Sequence, residues 1–306
     1  MDKLMAMRMF VETVEAKGFS AAARKVGLAT SSVTRMVDSL EADLGSVLLN
    51  RSTRQISLTE AGGVYYNSAR LILDAVADAD AEVTDQGDEP VGVLRVCVPV
   101  EFGRSVIIPQ LHRLLARYPR LEINLTQSDE IIDLFSQRVD LSVRLGAALV
   151  NDNVVCRTIG HFQRWAIASP DYLARHSLPV EPADLSQHQC LAFDFGNGKP
   201  SWVFEGAEQS ISVAVQGRLR SNNAGTLRQA ALDGCGIALL ADWLVEEDVR
   251  AGRLTRLLED YQVSPGQAQA TINVLYLPNH RMSTRVRVFI EFLQQILAET
   301  SHPTPE

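Results

Sequence analysis

The stretch SAAARKVGLATSSVTRMVDSLEADLGSVLLNRSTRQISLT, residues 20–59, decides how the rest of the chain is read. Ser20, a good N-cap residue, opens a short alanine-rich helix through Val26, and Gly27 ends it. A second helix is expected from about Ser31 to Asp43, with Val33, Val37, Leu40 and Leu44 spaced 4, 3 and 4 apart on one buried stripe. Ser31, Ser32, Thr34, Arg35, Asp38 and Ser39 then lie on or beside the uncovered side. Two short helices joined by a tight turn offer the second to a DNA major groove. The residue types suit that task. Hydroxyls at a helix start reach phosphates or base edges, and a guanidinium grips a phosphate or the O6/N7 edge of guanine. Residues 48–58 then read as two short strands around a polar tip carrying Arg51 and Arg54, a wing for the DNA backbone or minor groove. The expected DNA-contacting set is Ser20, Thr30, Ser31, Ser32, Thr34, Arg35, Arg51 and Arg54.

Upstream, Leu4, Met7, Phe10, Val11 and Val14 form a helix-period apolar face that stops at Gly18, read as the floor beneath those two helices. Downstream, Thr59 caps a helix beginning at Glu60-Ala61-Gly62. Tyr65, Ala69, Ile72, Val76, Ala79 and Val83 recur at 4, 3, 4, 3 and 4, the a/d seam of a short coiled coil. The seam spans a rod about 27 Å long, a spacer able to pair two reading heads in a homodimer. The competing reading is that the stripe packs within one chain. Two paired heads imply a partly palindromic duplex with half-sites about 34 Å, or a multiple of it, apart. Residues 85–90, DQGDEP, supply a hinge.

The groups Phe19 to Ala23, Ser31-Ser32-Val33-Thr34-Arg35, Leu40 to Gly45, Leu49, Arg51, Arg54 and Leu58 to Gly62 resemble the N-terminal domain of LysR-type bacterial transcriptional regulators. Two positions depart from that pattern: Ala29-Thr30 stands where the family commonly has Ser-Gln, and Leu49 where it commonly has Phe. Further matches at Tyr118-Pro119, Val143-Arg144-Leu145-Gly146, Ala168 to Leu173, Ala231 to Ile237 and Val286 to Phe289 extend the resemblance to about residues 3–298. It implies a winged helix-turn-helix over 1–59, a linker helix over 60–87 and a two-lobed, periplasmic-binding-protein-like α/β domain over 91–306. Lobe 1 is placed at about 91–163 and 268–299, and lobe 2 at about 164–267. The implied function is ligand-responsive control of transcription from double-stranded promoter DNA, by a homodimer or homotetramer in contact with RNA polymerase.

The α/β reading also stands on periodicity. Val91 to Pro99, Leu121 to Leu125 and Val139 to Arg144 read as strands, with helices over Ile107 to Tyr118 and Glu130 to Ser136 between them. A second set runs through Trp165 to Ala168, Cys190 to Phe193, Ser212 to Val215, a helix near Ala224 to Leu232, and the apolar Ile237 to Leu240. Ile272 to Tyr276 returns to the first lobe and Ser283 to Leu297 closes the fold. Strands alternating with helices predict a largely parallel sheet with ligand-contacting loops beyond the strand ends. The expected effector-contacting residues are Val100, Glu101, Phe102, Gly103, Ser128, Arg144, Gly146, Phe195 and Asn223. The Val100 to Gly103 turn, read as preceding a helix, offers N–H groups to an anion. Glu101 opposes a carboxylate there, and pairs with a ligand donor or a protein arginine instead. Arg144 either clamps an anionic ligand or pairs with Asp140 or Glu101.

Composition bounds the alternatives. With 306 residues, 46% hydrophobic and 22% charged, the chain suits a core-forming protein of more than one domain. It shows no apolar run long enough for a membrane span and no secretory signal at Met1-Asp2-Lys3-Leu4, so a cytoplasmic protein is expected. Cys97, Cys156, Cys190 and Cys235 form no CxxC pair and read as buried or half-buried thiols, with redox sensing by one or two as the alternative. A net charge of -8 argues against indiscriminate adhesion to polyanions but permits a local basic face. His112, His161, His176, His188 and His280 have no metal spacing and no nucleophile partner, so neither a catalytic set, a metal nor a cofactor is expected. The expected ligand is a small-molecule effector. A ligand-independent architectural DNA binder leaves the α/β residues idle, and a solute-binding protein has no need of residues 20–59.

Overall fold

The computed structural model describes residues 2–51, 56–84, 89–146, 154–194, 200–207, 209–266, 269–280 and 283–300. They form two compact units, Met1–Asp88 and Glu89–Glu306.

In the first unit, α1 (Lys3–Glu15), α2 (Phe19–Val26) and α3 (Thr30–Leu44) precede a hairpin of β1 (Leu49–Arg51) and β2 (Ile56–Leu58), then α4 (Glu60–Thr84). The strands pair antiparallel, Leu49 opposite Leu58 and Arg51 opposite Ile56, which is the base of the expected wing. The core gathers Met7, Phe10 and Val11 of α1, Ala22 and Ala23 of α2, and Val33, Val37 and Leu40 of α3. Leu4, expected on the apolar face, is instead exposed, because the buried face of α1 runs through Ala6 and Met9. Ser20 is not the cap of α2. The helix starts one residue earlier, with Gly18 at the cap position and no side-chain bond to the first turn. Gly27 ends α2 in a left-handed conformation, φ 72°, which an L side chain adopts at a cost. Thr59 caps α4, its hydroxyl accepting from Gly62 N at 2.9 Å. Position 62 admits only glycine, since a Cβ there would lie 1.9 Å from the Leu48 carbonyl oxygen.

The second unit opens with β3 (Gly92–Val98), followed directly by α5 (Val100–Phe102), a π-turn (Gly103–Ile107) and α6 (Ile108–Arg117). Residues 100–103, expected to form a turn, are thus the first turn of one long helix. Then come β4 (Leu121–Gln127), β5 (Leu141–Leu145), β6 (Val155–His161), β7 (Arg164–Ala168), α7 (Pro170–Arg175), a 3-10 turn (Pro182–Gln187), β8 (Cys190–Phe193), β9 (Ser201–Glu205), β10 (Ser210–Ala214), β11 (Arg220–Ser221), α8 (Ala224–Leu232), β12 (Ile237–Ala241), α9 (Asp242–Arg250), β13 (Thr255–Leu257), β14 (Gln262–Pro265), β15 (Thr271–Tyr276) and α10 (Thr284–Thr300). The helix expected over 130–136 is absent. There the Asp133 carboxylate accepts from Phe135 N at 3.1 Å and Ser136 N at 3.4 Å, competing with helical bonding, and Arg138 turns the chain at φ 55°.

Two five-stranded sheets result, β4-β3-β5-β15-β6 and β11-β8-β12-β7-β13, with a three-stranded β10-β9-β14 beside the second. Each five-stranded sheet is mixed rather than largely parallel. β3 runs parallel to β4 and β5, but β15 enters beside the end of β5, Ile272 opposite Leu145, and so runs antiparallel to it. The chain crosses from the first sheet to the second between His161 and Arg164, and returns between Pro265 and Thr271. Asn273 braces the return: its amide donates to Gly146 O at 2.7 Å and its oxygen accepts from Thr158 Oγ1 at 2.7 Å. One core packs Phe102, Ile107, Phe289 and Leu293 on the first sheet, and two others cover the faces of the second.

Candidate functional site

The first candidate surface is α3. Val33, Val37 and Leu40 are wholly buried, so the stripe read from spacing is the packed face. Thr30, Ser31 and Arg35 are exposed, and Ser32 and Thr34 half-buried, on the remaining surface. Ala29, extended at the cap position, has no polar side chain to place on the first turn. Donors at the helix start are therefore left to an external acceptor. The Thr34 hydroxyl donates back to Thr30 O at 2.9 Å, so toward a ligand it acts as an acceptor. Lys25, exposed on α2, is tied back to α1, its ammonium 2.7 Å from Glu12. Glu41 was overlooked by spacing arguments. Its Oε1 accepts from Leu48 N at 2.7 Å and Leu49 N at 3.0 Å, tying the wing strand to α3. Ser20 is exposed within α2; the Arg51 side chain and Arg54 lie outside the described residues.

The expected seam on α4 divides. Ala69 is wholly buried in the head's own core, and Tyr65 packs there with its ring 5.9 Å from Phe10. Burial raises the Tyr65 phenol, whose oxygen meets no partner among the described residues. Ile72 and Val76 are exposed, at 42% and 37%. A 4,3,4 repeat marks an apolar face but not what covers it, and here the first turns of that face are covered by α1. The side chains of Ala79 and Val83 lie outside the described residues.

The second candidate is a cavity of about 500 Å³ in the second unit, between its two five-stranded sheets. Four of the expected contact residues line it: Glu101, Phe102, Arg144 and Gly146. Val100 and Asn223 do not line it but meet at its edge through Asp129, which sequence reasoning missed. The Asp129 carboxylate accepts from Val100 N at 3.0 Å, at the start of α5, and from Asn223 Nδ2 at 2.9 Å, at the start of α8. Asn223 also caps α8 through Thr226 N. Gly103 and Ser128 point elsewhere: a Cβ on Gly103 would meet Val98 and Gln127, and the Ser128 hydroxyl accepts from Glu130 N. Phe195 lies outside the described residues.

Arg144 takes neither partner considered from sequence. Asp140 instead accepts from Arg95 N at 2.8 Å, and Glu101 lies against Gly225. Burial pushes the Arg144 guanidinium below its ordinary value against the opposing pull of Cys97 and Asp129, and its buried Nη2 meets no hydrogen-bond partner among the described residues. Arg164, stacked 4.7 Å over the Phe162 ring, is lowered by burial to about 10. Trp243 joins the two sides, its ring edge-on to Phe102 at 5.3 Å. Trp243, Trp202, Phe162, Arg164 and Arg220 were not singled out from sequence. Trp243 follows β12, so the rule that ligand loops follow strand ends points to it; Phe162 and Arg164 become legible only once the crossing between the sheets is known.

Comparison with known proteins bears on both surfaces. The family model for the LysR substrate binding domain matches residues 87–298, and that for the bacterial regulatory helix-turn-helix protein, lysR family, matches residues 4–63. The chain belongs to the LysR family. It is similar to the HTH-type transcriptional regulator CrgA of Neisseria meningitidis serogroup C (strain 8013), 34% identical over 95% of this chain and 96% of that protein. It is also similar to the HTH-type transcriptional regulator DmlR of Escherichia coli (strain K12), 33% identical over 96% and 94%. Among solved structures, that of CrgA from Neisseria meningitidis matches with a TM-score of 0.61 and 34% identity, covering 96% of this chain and 98% of that one. This LysR-type protein is a DNA-binding transcriptional regulator with an effector-binding domain, not an enzyme. No helix among the described residues is long and apolar enough to cross a membrane.

Proposed function

We propose that this LysR-type regulator is a cytoplasmic homodimer, assembling further into a homotetramer, that reads a partly palindromic promoter site through α3 and answers to a small molecule in the cavity. Ser31, Ser32, Thr34 and Arg35 read base edges, Thr30 and the open first turn of α3 hold phosphate, and Arg51 and Arg54 of the wing grip the flanking backbone. The observation that carries this reading is the division of α3, with Val33, Val37 and Leu40 wholly buried and its hydroxyls and guanidinium on the exposed or half-exposed side. Pairing runs along α4 beyond the head's own core, where Ile72 and Val76 are exposed. Effector binding changes the closure of the cleft, alters the spread of the two heads, and shifts DNA bending and contact with RNA polymerase. The test uses full-length protein on genomic duplexes selected by their binding to it, footprinted with and without fractions of a metabolite extract. A fraction that changes the footprint or bend is the expected result. A footprint indifferent to every fraction contradicts effector control and favours a ligand-independent binder.

A further inference from the structure

Building on that effector-responsive reading, we propose that the cavity takes a small organic anion with a flat apolar body, whose acidic group sits on Arg144 and Trp243 rather than on the helix start at Val100. The helix start is already filled by the protein's own charge. Asp129 Oδ1 accepts from Val100 N at 3.0 Å, and its Oδ2 accepts from Asn223 Nδ2 at 2.9 Å. Across the cleft, Glu101 fills the space beside the first turn of α8: a Cβ on Gly225 would lie 2.2 Å from Glu101 Oε1. A ligand carboxylate at either helix start would meet a resident carboxylate, and like charges at contact repel.

The buried unmet capacity among the described residues lies elsewhere on the wall, and all of it is of one kind. Among the described residues Arg144 Nη2 and Trp243 Nε1 are both buried without a hydrogen-bond partner, and both residues line the cavity. Both atoms only donate. Among the described lining residues no buried acceptor is orphaned: Asp129 is held by Val100 and Asn223, Asp194 has its own partner, and the half-buried Glu101 carboxylate lies against Gly225. Orphaned buried donors are costly, so the site is completed by a ligand that brings acceptors, best an ionised one for a guanidinium. Phe102, Phe162, Phe193 and Trp202 supply the apolar walls for the rest of such a molecule.

The chain has three tryptophans, Trp165, Trp202 and Trp243, and the last two line the cavity, so intrinsic fluorescence of the full-length protein reports its occupancy. Three probes of one shape separate the charge classes: phenylacetate, its neutral amide phenylacetamide, and the cation phenethylamine. Phenylacetate is expected to give a saturable change and to bind about 10- to 100-fold tighter than the amide, the range for one charged hydrogen-bonding pair. Arg144→Met should abolish that preference while leaving the amide unaffected. Trp243→Phe keeps a ring against Phe102 and removes only the indole donor; it should weaken phenylacetate about threefold or more, the loss of one hydrogen bond. The proposal is overturned if amide or amine binds as tightly as the acid, if none of the three gives a saturable change, or if the preference survives Arg144→Met. Anion-selective binding with an unchanged DNA footprint would leave the ligand class standing and overturn the effector-responsive reading. A footprint changed by a neutral or cationic occupant of the cavity would do the reverse.

Discussion

Glu41 is the residue through which the reading head should be easiest to break without touching its DNA-facing surface. One of its carboxylate oxygens accepts from two consecutive backbone amides, Leu48 N at 2.7 Å and Leu49 N at 3.0 Å, and both leucines are buried, at 1% and 2% exposure. Glu41→Ala leaves both N–H groups without that acceptor. At about 1–3 kcal/mol for each orphaned amide, less where water enters the vacated space, the loss comes to about 2–5 kcal/mol. That is a large share of the roughly 5–15 kcal/mol that holds a domain together. Glu41→Gln keeps a neutral acceptor in place and should lose about 1 kcal/mol. Because a chain of two units need not unfold in one step, the assay is amide hydrogen exchange of the full-length protein. Protection of Leu48, Leu49 and the strand-paired Leu58 is followed alongside DNA affinity. Glu41→Ala should expose these amides and weaken DNA binding, and Glu41→Gln should largely preserve both. Unchanged protection in Glu41→Ala, or equal damage from the two variants, would refute the reasoning.

Two further outcomes are expected. His188 is buried beside His176, and burial first, then that neighbour, lower its pKa from the ordinary 6.5. The Tyr172 hydroxyl accepts from Gln189 N and lies 3.1 Å from His188 Nδ1, which fixes the imidazole in this buried setting. The unfolded chain therefore takes up the proton first. Stability is full above 6.5 and declines as pH falls below it, by at most about 1.4 kcal/mol per pH unit for one proton. Melting temperatures measured across that range should show the decline, and His188→Asn should flatten it; an equal slope in the variant counts against this assignment. On α4, Ile72→Asp or Val76→Asp places charge on the exposed continuation of the stripe and should yield monomers in sedimentation without unfolding the head, whereas Tyr65→Asp damages the head's own core as well. Intact dimers of both Ile72→Asp and Val76→Asp would rule out pairing along that face.

The head was legible because its signals are local. Val33, Val37 and Leu40 repeat with the helix, Gly27 and Thr59 mark ends, and short strands flank the tip, so the stripe emerged at the positions the spacing indicates. What failed there depended on context. Ser20 suits a cap, yet the helix begins at Phe19, and Tyr65 and Ala69 belong to a regular stripe whose cover is α1. In the α/β half the strands were readable from their apolar runs, but their directions were not. β15 is antiparallel to β5 because of where the chain re-enters the sheet, some 125 residues after Gly146, to which Thr271 is bonded. The cavity follows the same rule. Residues 101, 102, 144 and 146 sit near strand ends and were found. Asp129 and Trp243 matter through partners on the opposite side, Asn223 and Phe102, and such pairings leave no periodic trace.

The central claim is that the open face of α3 reads base sequence, and selection from a random pool of duplex DNA at fixed salt tests it most directly. Wild-type full-length protein should enrich a dyad-symmetric motif with half-sites about 34 Å, or a multiple of that, apart, and Arg35→Ala should lose its preference at about one base pair in each half-site. No enriched motif, or the same motif recovered with equal strength by Arg35→Ala, would contradict it.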